Sequence, residues 1–203
     1  MNFKDIAIPF LNNPAIKDKA DAFRNKYGKG TLPVDIETII EIELNIDIIP
    51  YPGLQYLCDT DALISSDWKS IIVDNNHFSD NRHQNRLRFS FAHEIGHFIL
   101  HKDIYKSFGI KNIKDFEKLI NDIPSNQYGY LEIQANKFAS FLLAPREKLI
   151  TERDKEIKKV GNLIASGKIK NRKEINSYLA VPISKVFGVS EEVIEIALNE
   201  LSD

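Results

Sequence analysis

Covalent cross-links are excluded first. Cys58 is the single cysteine in 203 residues, so no disulfide can close within the chain. A lone thiol fits a reducing compartment, and the cytoplasm is the expected location. Cys58 itself reads as a small, partly buried hydrophobe. Met1 to Phe10 has no basic region leading into a long apolar core, so no signal peptide is expected. No apolar run approaches the roughly 20 residues that span a bilayer, which argues against a membrane partner. Excess charge of one sign is also missing. The formal net charge of -2 exerts no general pull on nucleic acid. No internal repeat or low-complexity tract is present. The chain does have a hydrophobic share of 43% with 28% charged residues, enough for a compact core at this length.

The most informative stretch is His93-Glu94-Ile95-Gly96-His97, an H-E-x-x-H pattern. Its surroundings, Arg86 to His101, are apolar at Leu87, Phe91, Ile95, Phe98 and Ile99, the spacing of a helix with a buried face. On a helix, residues four apart share a face, so both imidazoles can meet one zinc ion. Glu94, one residue along, is then placed to act as base toward an attacking water. Gly96 is a weak spot for a helix, by roughly 1 kcal/mol against Ala, and is tolerated where another backbone comes close.

Zinc requires a third protein ligand, and three residues compete for that place. His101 continues the series along the same helix, where drift strains tetrahedral geometry, and it reads better as a supporting or packed side chain. Asp103 stands at the spacing of a metzincin third ligand, but Leu100 replaces the glycine with which that pattern turns the chain. Glu132 opens the run Glu132 to Leu143, whose apolar positions Ala135, Phe138, Ala139, Leu142 and Leu143 predict a second amphipathic helix. Glu132 is the preferred third ligand. Asn136 shares its face and either orients a ligand histidine or is an ordinary surface amide.

At these residues the chain resembles the ImmA/IrrE family of bacterial metallopeptidases. The matching pieces are Tyr27 to Ile40, Asp61 to Asn75, Arg86 to His101, Glu132 to Pro145 and the Phe187-Gly188-Val189-Ser190 turn with its following helix. The likeness covers most of the chain from about Tyr27 onward. It implies one zinc per chain held by His93, His97 and Glu132, with Glu94 as catalytic base. It also implies cleavage of helix-turn-helix transcriptional repressors, relieving repression in mobile elements or stress responses. Gln134 is a departure, standing where many members carry a second acidic residue.

The expected architecture is α+β, a mostly helical zincin-like domain with a small antiparallel β-sheet before the active-site helix. Residues 1–150 would form that domain and 151–203 a helical extension packed on it. Helices are expected from Asn13 to Tyr27, from Pro33 with Ile36, Ile39 and Ile40 inward, and from Lys114 to Ile120. Strands are expected at Ile46 to Ile49, Ala62 to Ser65 and Ser70 to Val73, and one of them could pair with an extended substrate. A polar turn is expected at Pro124 to Asn126. The segment between the ligand helices should border the cleft. Tyr128, Tyr130 and His101 are candidate oxyanion donors. Arg88 reads as a structural ion-pair partner.

The Lys/Arg-rich stretch Arg153 to Lys173 contains Asp154 and Glu156 and lacks aromatics, so it reads as a solvated helix face. Ser190 is placed to cap a last helix, and that helix is acidic. No basic recognition helix is visible, so direct DNA binding is not expected. The functional reading is a zinc-dependent endopeptidase acting on a protein substrate. The alternative is a metal-retaining module that binds a repressor without cutting it.

Overall fold

The structure, a computed structural model, describes residues 3–165 and 171–201. Helix α1 spans Asn13–Tyr27, with Asn12 rather than Asn13 as its cap, its Oδ1 accepting from the Ala15 amide at 2.9 Å. The second helical segment starts later than Pro33. Asp35 caps α2 (Ile36–Thr38) and a π turn, Ile39–Glu43, follows, burying Ile36, Ile39 and Ile40 as expected.

Strand β1 is Asp47–Tyr51, helix α3 is Leu54–Cys58, β2 is Ala62–Ile64 and β3 is Ser70–Asp74. The sheet order is β1-β3-β2. Here the expectation of an antiparallel sheet is corrected. β2 and β3 are antiparallel, but β1 runs parallel to β3, from Asp47 beside Ser70 to Tyr51 beside Asp74. The cause is the Pro52-Gly53 turn, with Gly53 at φ +76°, which launches α3 between β1 and β2. That crossover removes β1 from the hairpin and seats it on the other side of β3. Pro50 lies inside β1, tolerable because β1 is an edge strand.

Helix α4 (Asn75–Phe78) and a 3-10 turn (Asn81–His83) lead into α5 (Gln84–Leu100). Then come α6 (Lys102–Phe108), α7 (Ile113–Asp122) and α8 (Ser125–Leu143). Helix α8 starts a full two turns before Glu132. Pro124 and the residues after it are its entry rather than a separate turn, with the Gln127 and Tyr128 amides donating to the Pro124 carbonyl. Helix α9 (Arg146–Ala165) runs unbroken through residue 150, and α10 (Arg172–Phe187) and α11 (Glu191–Glu200) follow. No helix among the described residues is long and apolar enough to cross a membrane.

Arg88 is structural, but not through the expected ion pair. Its guanidinium donates to the Gly188 carbonyl and to Asn85 Oδ1, tying α5 to the turn before α11. The ion pair on this part of α5 belongs to Arg86, which meets the buried Asp61. Ser190 caps α11, its Oγ accepting from the Val193 amide at 3.3 Å. In the basic stretch, Arg153 pairs with Asp154, Lys155 with Glu152 and Lys159 with Glu156, the behaviour of a solvated face. Residues 166–170 of that stretch lie outside the described residues.

The core is centred on the crossing of α5 and α8. Phe91 and Ile95 from one helix and Ala135, Phe138, Ala139 and Leu142 from the other are fully buried. At the closest approach Gly96 faces Ala135. A Cβ on Gly96 would lie 3.0 Å from Ala135 Cα and 3.1 Å from its carbonyl oxygen. The obstacle is helix backbone, which cannot turn aside as a side chain would. Gly96→Ala should therefore destabilise the protein by about 1–2 kcal/mol, the usual scale of overpacking, despite alanine's better helix propensity. Denaturant unfolding checks this, with a lowered midpoint expected.

Candidate active site

The crossing brings His93, Glu94 and His97 on α5 against Glu132 on α8. His93 Nε2 lies 3.0 Å from His97 Nε2 and 3.3 Å from Glu132 Oε2, and His97 Nε2 lies 3.5 Å from Glu132 Oε1. The ligating atoms of His93, Glu94 and His97 all fall within 4.8 Å of one another. Glu132 thus joins the two histidines, whereas the two other contenders for the third position do not. His101 turns its Nδ1 to His97 Nδ1 at 3.0 Å, on the far side of that ring. Asp103 is exposed in the first turn of α6.

Each histidine is held from behind. His93 Nδ1 is 2.8 Å from Asn136 Oδ1, so Asn136 orients a ring, the more specific of the two roles open to it. His97 Nδ1 is engaged by His101, whose Nε2 is 3.1 Å from Gln134 Oε1. With both Nδ1 atoms occupied, the two Nε2 atoms face each other and a carboxylate. Two imidazole nitrogens and a carboxylate at these distances converge on one point, where either a shared proton or a metal cation balances the carboxylate charge.

A tetrahedral ion with bonds of about 2.0–2.1 Å spaces its ligands about 3.3–3.4 Å apart, close to the separations here. The residues present therefore fit a metal bound by His93, His97 and Glu132. The same electrostatics act on protons. Burial opposes a charge on His93, but the Glu132 carboxylate outweighs it and lifts the imidazole to about 9. Burial also opposes ionisation of Glu132, yet hydrogen bonds from His93 and His97 hold its carboxyl well below the usual range.

Glu94 is buried at 4% exposure, and burial raises its carboxyl above the ordinary carboxylate range. Its Oε2 accepts the Ile64 amide of β2 at 2.8 Å, which fixes its direction. In the β2–β3 ladder, Asp61 and Ser65 exchange hydrogen bonds with β3, so by alternation Ala62 and Ile64 turn their backbone groups outward. The sheet thus supplies a backbone donor to the glutamate of the H-E-x-x-H pattern.

The enclosed space at this cluster is about 20 Å³, room for one ion or water. Besides the cluster it is lined by Leu63 of β2, Tyr105, Phe108 and Phe116 of α6–α7, and Tyr128 of α8. The segment between the ligand helices does border the site. Of the tyrosines expected there, Tyr128 lines the cavity and Tyr130 does not, being 48% exposed two positions further round α8. Burial, reinforced by Glu132 and Glu94, drives the Tyr128 hydroxyl far above its usual range, so it stays protonated and able to donate.

Sequence reasoning missed Tyr105. Its ring packs on His97 with centroids 5.1 Å apart, and it is buried. The apolar spacing of α6 was too short to identify it. Cys58 is half-buried, its thiol pushed up by burial and then by Glu117, the behaviour of an inert hydrophobe rather than a reactive thiol.

The geometry agrees with the comparison of the chain against known families. A search of curated proteins finds no match. The family model described as IrrE N-terminal-like domain, Peptidase_M78, matches residues 71–199, well over half of the chain. The match takes in the H-E-x-x-H helix, the Glu132 helix and the C-terminal pair α10–α11. The chain belongs to the IrrE N-terminal-like family of metal-dependent peptidases.

Proposed function

We propose that the protein is a zinc-dependent endopeptidase that cuts a protein substrate, a helix-turn-helix transcriptional repressor in the cytoplasm, and so relieves repression. One observation carries the reading. Two imidazole Nε2 atoms and a carboxylate converge at 3.0–3.5 Å, with a buried glutamate beside them. Zinc rather than a harder ion suits two nitrogens and one oxygen with a fourth position open. A purely structural site needs no such glutamate.

Bound there, zinc would supply a Lewis acid that polarises the peptide carbonyl and acidifies water. The chain's own residues do the rest. Glu94, held by the Ile64 amide, takes the proton from the attacking water and passes it to the leaving amine. Its raised pKa brings it nearer neutrality than a free glutamate, which suits a group that must both accept and return a proton. The Tyr128 hydroxyl donates to the developing oxyanion. The cavity holds only an ion or a water, so the polypeptide lies along its mouth and not inside it.

The decisive experiment incubates the zinc-loaded protein with the repressor encoded beside it and looks for fragments by mass spectrometry. Glu94→Gln should retain zinc and lose about 10²–10⁴ in rate. Cleavage that persists in Glu94→Gln would overturn the assignment of the base. Zinc-dependent binding without cleavage by the wild type would replace the peptidase reading with that of an interaction module.

Zinc affinity should also depend on pH. His93 binds metal as the neutral ring, and below about 9 it carries a proton that the metal has to displace. Chelator competition should show affinity rising about tenfold per pH unit from pH 7 toward 9, and levelling off above it. Glu132→Ala should weaken zinc binding and bring His93 back toward an ordinary histidine.

A further inference from the structure

A buried chain of hydrogen bonds runs from His97 away from the catalytic cavity. His97 Nδ1 is 3.0 Å from His101 Nδ1, and His101 Nε2 is 3.1 Å from Gln134 Oε1. Gln134 Nε2 is 2.9 Å from the Pro9 carbonyl oxygen, 125 residues distant in sequence. His97, His101 and Gln134 are exposed by only 3%, 2% and 4%, so water cannot substitute for any of these partners.

The direction of the chain follows from its last member. A backbone carbonyl only accepts, so Gln134 must present its NH₂ to Pro9. Its oxygen then faces His101 and accepts, so His101 carries its proton on Nε2. A neutral His101 therefore offers a lone pair at Nδ1, and His97 must donate from its own Nδ1. What remains on His97 is an unprotonated Nε2 directed at His93 and Glu132. A charged His101 would instead donate its Nδ1 proton to His97, but His101 is only 2% exposed and its two partners, a histidine and an amide oxygen, bring no negative charge to offset a buried cation.

We infer that His101, Gln134 and the Pro9 carbonyl form a positioning relay that fixes the tautomer of His97. The N-terminal segment thereby becomes part of the metal centre although it contributes no ligand. A second glutamine one heptad earlier holds the same segment. Gln127 Oε1 accepts the Ile8 amide at 2.7 Å, so α8 clamps residues 8–9 at two points. Gln134 is suited to this task. An amide can accept from a histidine and donate to a carbonyl at once, whereas a carboxylate can only accept.

The zinc arm of the test rests on the metal reading of the site, and the tautomer arm does not. Full-length wild type, Gln134→Leu and Gln134→Glu are compared after EDTA treatment by long-range ¹H–¹⁵N spectra of the histidine rings, and after dialysis by competition for zinc with a chromophoric chelator. The wild type should show His97 protonated at Nδ1 and His101 at Nε2 before any metal is added. Gln134→Leu, similar in size, should scramble the His97 tautomer and weaken zinc binding about tenfold or more, the usual cost of losing such a partner. Gln134→Glu keeps an acceptor for His101 but sets a carboxylate oxygen against the Pro9 carbonyl oxygen, so it should lose part of the His97 tautomer preference and bind zinc more weakly than wild type.

A His97 protonated at Nε2 in the wild type would overturn the relay, whatever the metal does. So would a Gln134→Leu that keeps both tautomer and affinity. A Gln134→Glu that matches wild type in both tautomer and affinity would do the same, because the Pro9 carbonyl would then have no part in fixing His97. Wild type with the expected tautomers but no zinc binding would support the relay and sink the zinc reading alone.

Discussion

The backbone-to-backbone contact between α5 and α8 at Gly96 and Ala135 is the constraint on which the site depends. A side chain at either place larger than the ones present would separate the helix axes. His93 and His97 would then move away from Glu132, and separations of 3.0–3.5 Å leave little slack. The helix propensity sacrificed at Gly96, roughly 1 kcal/mol, is offset by the packing that the close approach allows. The ion site is thus a by-product of how tightly two helices cross, with the fully buried Phe91, Ile95 and Phe138 holding the crossing in place.

Around that contact the side chains of the candidate site are each held by a defined partner. Asn136 stands behind His93, and His101 behind His97. The Ile64 amide directs Glu94, and Gln134 joins the relay to Pro9. Unsatisfied polar groups at this depth would each cost on the order of 1–3 kcal/mol, so satisfaction and orientation come together. The partners come from β2, α8 and the N-terminal segment, which is why the site needs the whole fold rather than the H-E-x-x-H helix alone. The Arg88 bond to the Gly188 carbonyl extends the same logic to the C-terminal turn.

Much of this was legible in the chain, unevenly. Periodicity located α5 and the part of α8 from Glu132 onward, because a buried helical face repeats every three to four residues whatever it packs against, and the Ser190 cap marked α11. The pattern His93-Glu94-x-x-His97 announced its chemistry because four-residue spacing alone puts two rings on one face. The sheet was misread. Alternation marks a strand but carries no information on its neighbour, and the turn into α3 decided that β1 would lie parallel to β3. The entry of α8 was also misread, since Pro124 serves equally as a turn residue and as the start of a helix. Tyr130 was grouped with Tyr128 because they are close in sequence, but on a helix a two-residue step turns a side chain to the opposite side.

By itself the sequence pointed to the candidate ligands, the proposed base and the helices that carry them. Those follow from local spacing, which is a property of a few consecutive residues. The sequence preferred Glu132 over Asp103 and His101 as the third group, and tertiary structure brought it within 3.3–3.5 Å of the two histidines. Tertiary structure also decided that Tyr105 covers His97, and that a carbonyl at Pro9 reaches the metal side through Gln134. Those relations join residues up to 125 positions apart, and hydrogen-bond direction across such a gap exists only once the chain has closed around it.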